Sequence, residues 1–131
     1  MYRKAYLGGM SDHLETGQRG EDLARDHLLA AGYEVLETGY RYRRVELDVI
    51  ARQDECLVFV EVKTRRGTGF GHPSLAVSRA KERNIAKVAR AYMRAIDHTW
   101  EVRFDIIAIL LFPDGSYELE HLEDAFFPGV W

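Results

Sequence analysis

Cysteine is nearly absent from this 131-residue chain, and the lone Cys56 excludes both an intramolecular disulfide and a zinc cluster built on several thiolates. It is read as a buried thiol. The five histidines are scattered, with no two at the spacing of a helical or finger-type ligand pair. No apolar run is long enough to span a membrane. Met1 to Met10 carries basic residues but no continuous apolar segment resembling a signal peptide, so the cytoplasm is the expected compartment. With Gly8-Gly9 in it, the opening stretch, residues 1–12, reads as a mobile arm. No linker, repeat or low-complexity segment divides residues 13–131, which are expected to form one domain. A nucleotide-binding loop is missing too. Gly67-Thr68-Gly69-Phe70-Gly71-His72-Pro73 lacks the spacing and the Lys-Ser/Thr ending, and it reads as a substrate-facing loop whose Phe70 stacks on a base or anchors the loop to the core.

The balance of charge is slightly acidic, formally -3, but the positive charges are unevenly spread. Between Glu61 and Arg94 lie nine bases (Lys63, Arg65, Arg66, Arg79, Lys81, Arg83, Lys87, Arg90 and Arg94) against two acids, Glu61 and Glu82. On a helix predicted from about Ser74 to Ile96, Arg79, Arg83, Lys87, Arg90 and Arg94 recur at steps of four, four, three and four, forming one stripe. Val77, Ala80, Ile85, Val88, Tyr92 and Ile96 lie broadly on the other side, as a core face should. A solvated basic face normally interleaves acids, and here only Glu82 is available, so these cations are read as phosphate contacts to nucleic acid.

The most apolar run, Leu57-Val58-Phe59-Val60, ends in Glu61-Val62-Lys63, and a second acidic pair, Glu46 and Asp48, lies upstream. Residues 44 to 52 and 56 to 64 read as two strands of a hairpin turning at Gln53-Asp54-Glu55. If paired positions add to an odd number such as 109, Asp48 faces Glu61 and Glu46 faces Lys63, all on one face. An even register sends the two sets to opposite faces. The apolar pattern leaves the register open, because the second strand is apolar on both sides before Glu61. Converging carboxylates are hard oxygen donors suited to Mg2+ or Mn2+, and a nearby lysine can stabilise charge developing on a phosphodiester.

A further acid comes from the first helix, predicted from about Gly17 to Ala31. Ala24, Leu28 and Ala31 recur at helical spacing, and counting back along that stripe reaches Glu21. Glu21 either joins the metal-binding cluster or complements the helix dipole, a role Asp22 serves equally well.

Gly17-Gln18-Arg19-Gly20-Glu21, Tyr40-Arg41, Glu46-Leu47-Asp48-Val49-Ile50, Phe59-Val60-Glu61-Val62-Lys63, Phe70-Gly71-His72-Pro73 and Arg103-Phe104-Asp105 occur in an order that resembles the YraN-like family of predicted bacterial endonucleases. That family is similar to archaeal Holliday junction resolvases and has the restriction-endonuclease-like fold. The resemblance runs from about Gly17 to Ala125. It implies that Asp48, Glu61 and Lys63 stand in the places of the aspartate, acid and lysine of the nuclease motif, with Glu21 as an additional acid. Two positions depart from the family: Val45 stands where Gly is usual, and Gly39 where Asn is common. Gly39 can adopt a left-handed conformation at no steric cost.

After the basic helix, Glu101 to Phe112 reads as a buried strand, Pro113 to Ser116 as a turn and Tyr117 to Leu122 as a closing strand. Arg103 and Asp105 share a face and are read as a structural pair. The expected fold is therefore α/β, in the order α-β-β-β-α-β-β, with a mixed central sheet flanked by helices. The resemblance implies a Mg2+- or Mn2+-dependent endonuclease acting on DNA, branched or irregular DNA included. The expected catalytic set is Asp48, Glu61, Lys63 and Glu21, with Asp48, Glu61 and Glu46 as metal ligands. DNA is the expected partner, no membrane is involved, and a homodimer is left open. Two other readings stand beside it: a nucleic-acid-binding module whose nuclease site has decayed, and a small α/β domain whose basic helix docks an acidic protein.

Overall fold

The structure, a computed structural model, describes residues 3–67 and 77–127. Apart from Gly67, the loop expected to face the substrate lies outside the described residues. The elements are α1 (Arg3–Ala30), β1 (Glu34–Tyr42), β2 (Val45–Gln53), β3 (Cys56–Arg66), α2 (Arg79–Ala95), β4 (Val102–Leu111) and β5 (Tyr117–Leu122), in the predicted order. They form an α/β fold of the restriction-endonuclease-like type.

One five-stranded sheet runs β1-β2-β3-β4-β5. Neighbours pair antiparallel except β3 and β4, which are parallel and therefore need a crossover connection that α2 supplies. The β2–β3 hairpin takes the odd register, from Gln53↔Cys56 to Val49↔Val60. Asp54 takes a left-handed φ of 55° in its turn, a conformation aspartate tolerates better than most residues.

Both faces of the central strands are covered, which explains why β3 shows no alternation. Val58 and Val60 pack with Ala24 and Leu28 of α1, whereas Leu57 and Phe59 pack with Ile85, Val88 and Tyr92 of α2. Helix α1 begins well before the predicted Gly17: its backbone is helical from Arg3, so residues 3–12 of the stretch read as an arm continue the helix. No proline interrupts this stretch to break the hydrogen-bond ladder. Helix α2 starts later than predicted, at Arg79, because Ser78 caps it: its hydroxyl accepts from the Lys81 backbone N–H at 3.2 Å.

Gly20 is the point where α1 lies closest to the sheet. A Cβ built there would sit 1.8 Å from Thr64 Oγ1 and 2.8 Å from Thr64 Cβ. Only glycine lets the helix approach β3 so closely, and that approach carries the adjoining Glu21 to the rim of the sheet. Among the described residues no helix is long and apolar enough to cross a membrane.

Candidate active site at the fork of the sheet

Beyond Val49↔Val60 the ladder between β2 and β3 stops. β2 stays with β1 as far as Tyr42↔Val45, and β3 stays with β4 as far as Arg66↔Leu111, so the two central strands diverge into a fork. A diverging strand leaves backbone donors without a partner. Asp48 lies at this point: its Oδ2 accepts from the Val62 N–H at 2.8 Å. One further step of the register sets Asp48 against Glu61, as the odd pairing predicted.

Glu61 is largely buried, its side chain 11 % exposed, and it pairs with Lys81 of α2, Nζ to Oε2 3.3 Å. Lys63 follows two residues later on β3 and shares its face. The Asp48 carboxyl is pushed up from 3.8 to about 7. Burial is the main cause and the Glu61 charge the next; the Val62 hydrogen bond opposes them, Glu21 raises the value further, and Lys81 lowers it. Glu21 is raised as well, by burial and then by Glu46 and Asp22. The rim therefore gathers acids that repel one another, the condition that favours either a shared proton or a cation.

Glu46 does not join Asp48 and Glu61. Gly39 on β1 has φ +59°, and it lies between the pairs Thr38↔Val49 and Tyr40↔Leu47. At that point the alternation of faces breaks: Leu47 and Ile50 both pack on the α2 side, with Val49 between them on the α1 side. Glu46 is thereby turned away from the Glu61 face. Its charge is felt by Glu21, and its Oε1 lies 3.6 Å from Arg41 Nη2. Of the three acids Asp48, Glu61 and Glu46, the fork brings Asp48 and Glu61 together and leaves Glu46 apart. Among the described residues no three His, Cys, Asp or Glu side chains are grouped to hold one ion.

Residues 20–109 match the family model described as Uncharacterised protein family UPF0102, a span that contains Glu21, Asp48, Glu61, Lys63 and Asp105. The chain is 42% identical to a UPF0102 protein of Chlorobaculum tepidum over 119 residues, covering 86% of this chain and 92% of the relative. It is 43% identical to one of Rhodococcus opacus, covering 89% of this chain and 100% of the relative. A third, from Pelobacter propionicus, is 45% identical over 88% of this chain and 84% of the relative. The chain belongs to the UPF0102 family.

Within this UPF0102 fold the basic residues divide into groups. Arg79, Arg83, Lys87, Arg90 and Arg94 line two adjoining grooves along α2. Lys81, expected among the phosphate contacts, points instead at Glu61. Arg66 turns to the α1 side, where its Nε donates to Thr16 Oγ1 at 2.9 Å, and Arg65 is exposed near the end of β3. Val45 opens β2 opposite Tyr42 and packs against the α2-side core, a place a β-branched residue suits.

Two groups escaped the sequence reading. Arg43 and Arg44 form the tip of the β1–β2 hairpin, where an adjacent arginine pair at a turn was the available signal. The second is a buried network around Asp105, which is fully buried. Arg103 donates to it bidentately, Nε to Oδ1 at 2.9 Å and Nη2 to Oδ2 at 2.8 Å, so the expected pairing is present. His121 Nε2 also meets Asp105 Oδ2 at 2.7 Å, and His27 Nε2 lies 3.0 Å from His121 Nδ1. The two histidines are 94 residues apart in the chain, and no local pattern joins them.

Proposed function

We propose that this UPF0102 protein is a metal-dependent endonuclease of the cytoplasm that hydrolyses phosphodiester bonds of DNA, branched or irregular DNA included. The observation that carries the reading is the Asp48–Glu61 pair in the fork, with Lys63 on the Glu61 face and the Asp48 carboxyl pushed up to about 7 by burial and its acidic neighbour.

The pair fits Mg2+ or Mn2+ in donor type: Mg2+ is commonly held by one or two carboxylates, with water and substrate phosphate oxygens completing its shell. When bound, such an ion activates water and neutralises charge on the phosphate. Asp48 and Glu61 would hold it. Lys63 brings a positive charge to the same face, where it stabilises the charge that builds as the phosphodiester is attacked. Glu21 adds a carboxylate from the α1 side, kept in place by the close approach at Gly20. Lys81 holds Glu61 in position through its ion pair. The cations of α2 bind phosphates independently of sequence.

The test is incubation of the pure protein with labelled linear, single-stranded and four-way-junction DNA, with Mg2+ or Mn2+ and with chelator. Cation-dependent cleavage of at least one substrate is expected. Binding without cleavage under every cation would favour a nucleic-acid-binding module with a decayed site.

A further inference from the structure

The hairpin tip of β1–β2 and helix α2 face each other across a cleft. Arg43 and Arg44 form one wall, and Asn84, Lys87, Arg90 and Arg94 the other; among the described residues no carboxylate lines it. Five cations around one concave surface set up a strong local potential in a chain whose net charge is negative.

The backbone supplies an independent observation. Among the described residues four non-glycine positions have a positive φ: Asp54, Asp97, Asp124 and Arg43. Aspartate tolerates the left-handed region through local hydrogen bonding; arginine has no such advantage. Arg43, at φ 59°, therefore occupies a turn position where glycine, asparagine or aspartate would be the more stable choice. Its guanidinium lies 5.2 Å from the centroid of the Tyr42 ring, which steadies the side chain at the mouth of the cleft. A long cation kept at a costly backbone position is the pattern of a residue retained for what it binds.

We propose that this cleft binds the phosphodiester backbone of a nucleic acid, clamping it between the hairpin arginines and the basic face of α2. Guanidinium groups suit phosphate oxygens because they donate bidentately, and Asn84 adds a neutral donor. The proposal deepens the endonuclease reading and rests on it only for the place of the bond to be cut. Val45 begins β2 three residues before Asp48, which puts the cleft roughly 10 Å from that carboxylate, or about three base steps of a duplex. A backbone held there flanks the fork and presents a neighbouring phosphate to Asp48 and Glu61. A docked acidic protein has no such relation to the fork.

The test is fluorescence polarisation with labelled DNA and RNA duplexes of equal length, in chelator so that nothing is cut, across a salt series. The proteins are the wild type, Arg43→Gly with Arg44→Ala, Lys87→Ala with Arg94→Ala, and the charge-keeping Arg43→Lys with Arg44→Lys. Each charge-removing pair is expected to weaken binding on the order of tenfold or more and to lower the slope of log K against log salt by about two. The lysine pair should keep the slope. Arg43→Gly should leave thermal stability unchanged or raise it, so loss of binding is not loss of fold. Binding to either duplex supports the cleft, and the tighter one names the sugar. Unchanged slopes in both charge-removing pairs, or polyglutamate competing as well as the duplexes, would overturn it. Because no cleavage is read, an inactive protein that still shows these slopes defeats the nuclease reading and leaves the cleft standing.

Discussion

The Asp48 carboxylate accepts the Val62 N–H at 2.8 Å where β2 and β3 part, so one side chain both closes the end of a ladder and becomes the most strongly perturbed acid of the rim. An asparagine oxygen can take the same hydrogen bond without the charge. In the folded protein the carboxyl holds its proton up to about 7, against 3.8 ordinarily. A raised value stabilises the fold while the proton is bound, and that contribution is lost as pH rises through about 7. In chelator, the thermal stability of the wild type should therefore fall between about pH 5 and pH 8, whereas Asp48→Asn should lack this part of the slope and match or exceed the wild type at pH 8. Parallel melting curves for the two proteins across pH would contradict the raised Asp48 value that burial and then Glu61 produce.

Gly20→Ala should destabilise the protein by about 1–3 kcal/mol, the usual range for overpacking a tight contact. Rotating Thr64 can move Oγ1 away, but its Cβ, 2.8 Å from the added methyl, moves only with the backbone. Adding Thr64→Ala should accordingly rescue only part of the loss. Denaturant melts of the single and double variants check this, and complete rescue would mean that the hydroxyl alone sets the approach of α1.

Asp105→Asn should cost about 3–5 kcal/mol, because it removes the buried charge that pairs with the largely buried Arg103 guanidinium and leaves it only the longer contact to Glu123, 3.8 Å from Nη2. Burial alone would raise the Asp105 carboxyl. The hydrogen bonds from His121, Arg103 and the Asp124 N–H outweigh it and hold the carboxyl below its usual range. Circular dichroism melts measure the cost; a loss under about 1 kcal/mol would show that the network is loosely held.

His27 should make the protein sensitive to acid. Burial, and then the neighbouring His121, lower its pKa from 6.5, so its contribution is present above that value and lost as pH falls through the folded pKa. The network facing the pair comprises Asp105, Arg103, Tyr33 and Glu123, and Asp105 remains ionised over this range. A positive charge on His27 would lie 3.0 Å from the His121 ring nitrogen. His27→Gln keeps a donor without taking up a proton, and in an Asp48→Asn background it should retain more stability than its parent between pH 6.5 and pH 5. Equal loss in both proteins would assign the acid sensitivity elsewhere.

Much of this was readable from the residues. Leu57 to Val60, apolar on both faces, marked a central strand, and the stripe of Ala24 and Leu28 counted back to Glu21 at the sheet rim. The odd register was one of two that the pattern allowed, and the two-residue turn at Asp54-Glu55, which pairs Gln53 with Cys56, fixes it. Glu46 was misplaced because face alternation holds only while strands stay regular, and Gly39 at φ +59° interrupts it. The partners of Lys81 and the His27–His121 contact depend on elements brought together only in the folded chain, which periodicity cannot register. Nothing in the local sequence marks Arg43 for a left-handed backbone, where glycine, asparagine or aspartate is the usual residue.

The central claim is that Asp48 and Glu61 together hold a divalent cation that the chemistry needs. Calorimetric titration of Mn2+ into the wild type, Asp48→Asn and Lys63→Ala, with DNA cleavage measured on the same preparations, tests it most directly. The wild type should bind the ion with affinity that rises with pH through about 7, as the proton on Asp48 is displaced. Asp48→Asn should lose both binding and cleavage, while Lys63→Ala should keep binding and lose cleavage by about 10²-fold or more. Cleavage by Asp48→Asn at the wild-type rate, or Mn2+ binding unaltered by it, would contradict the account.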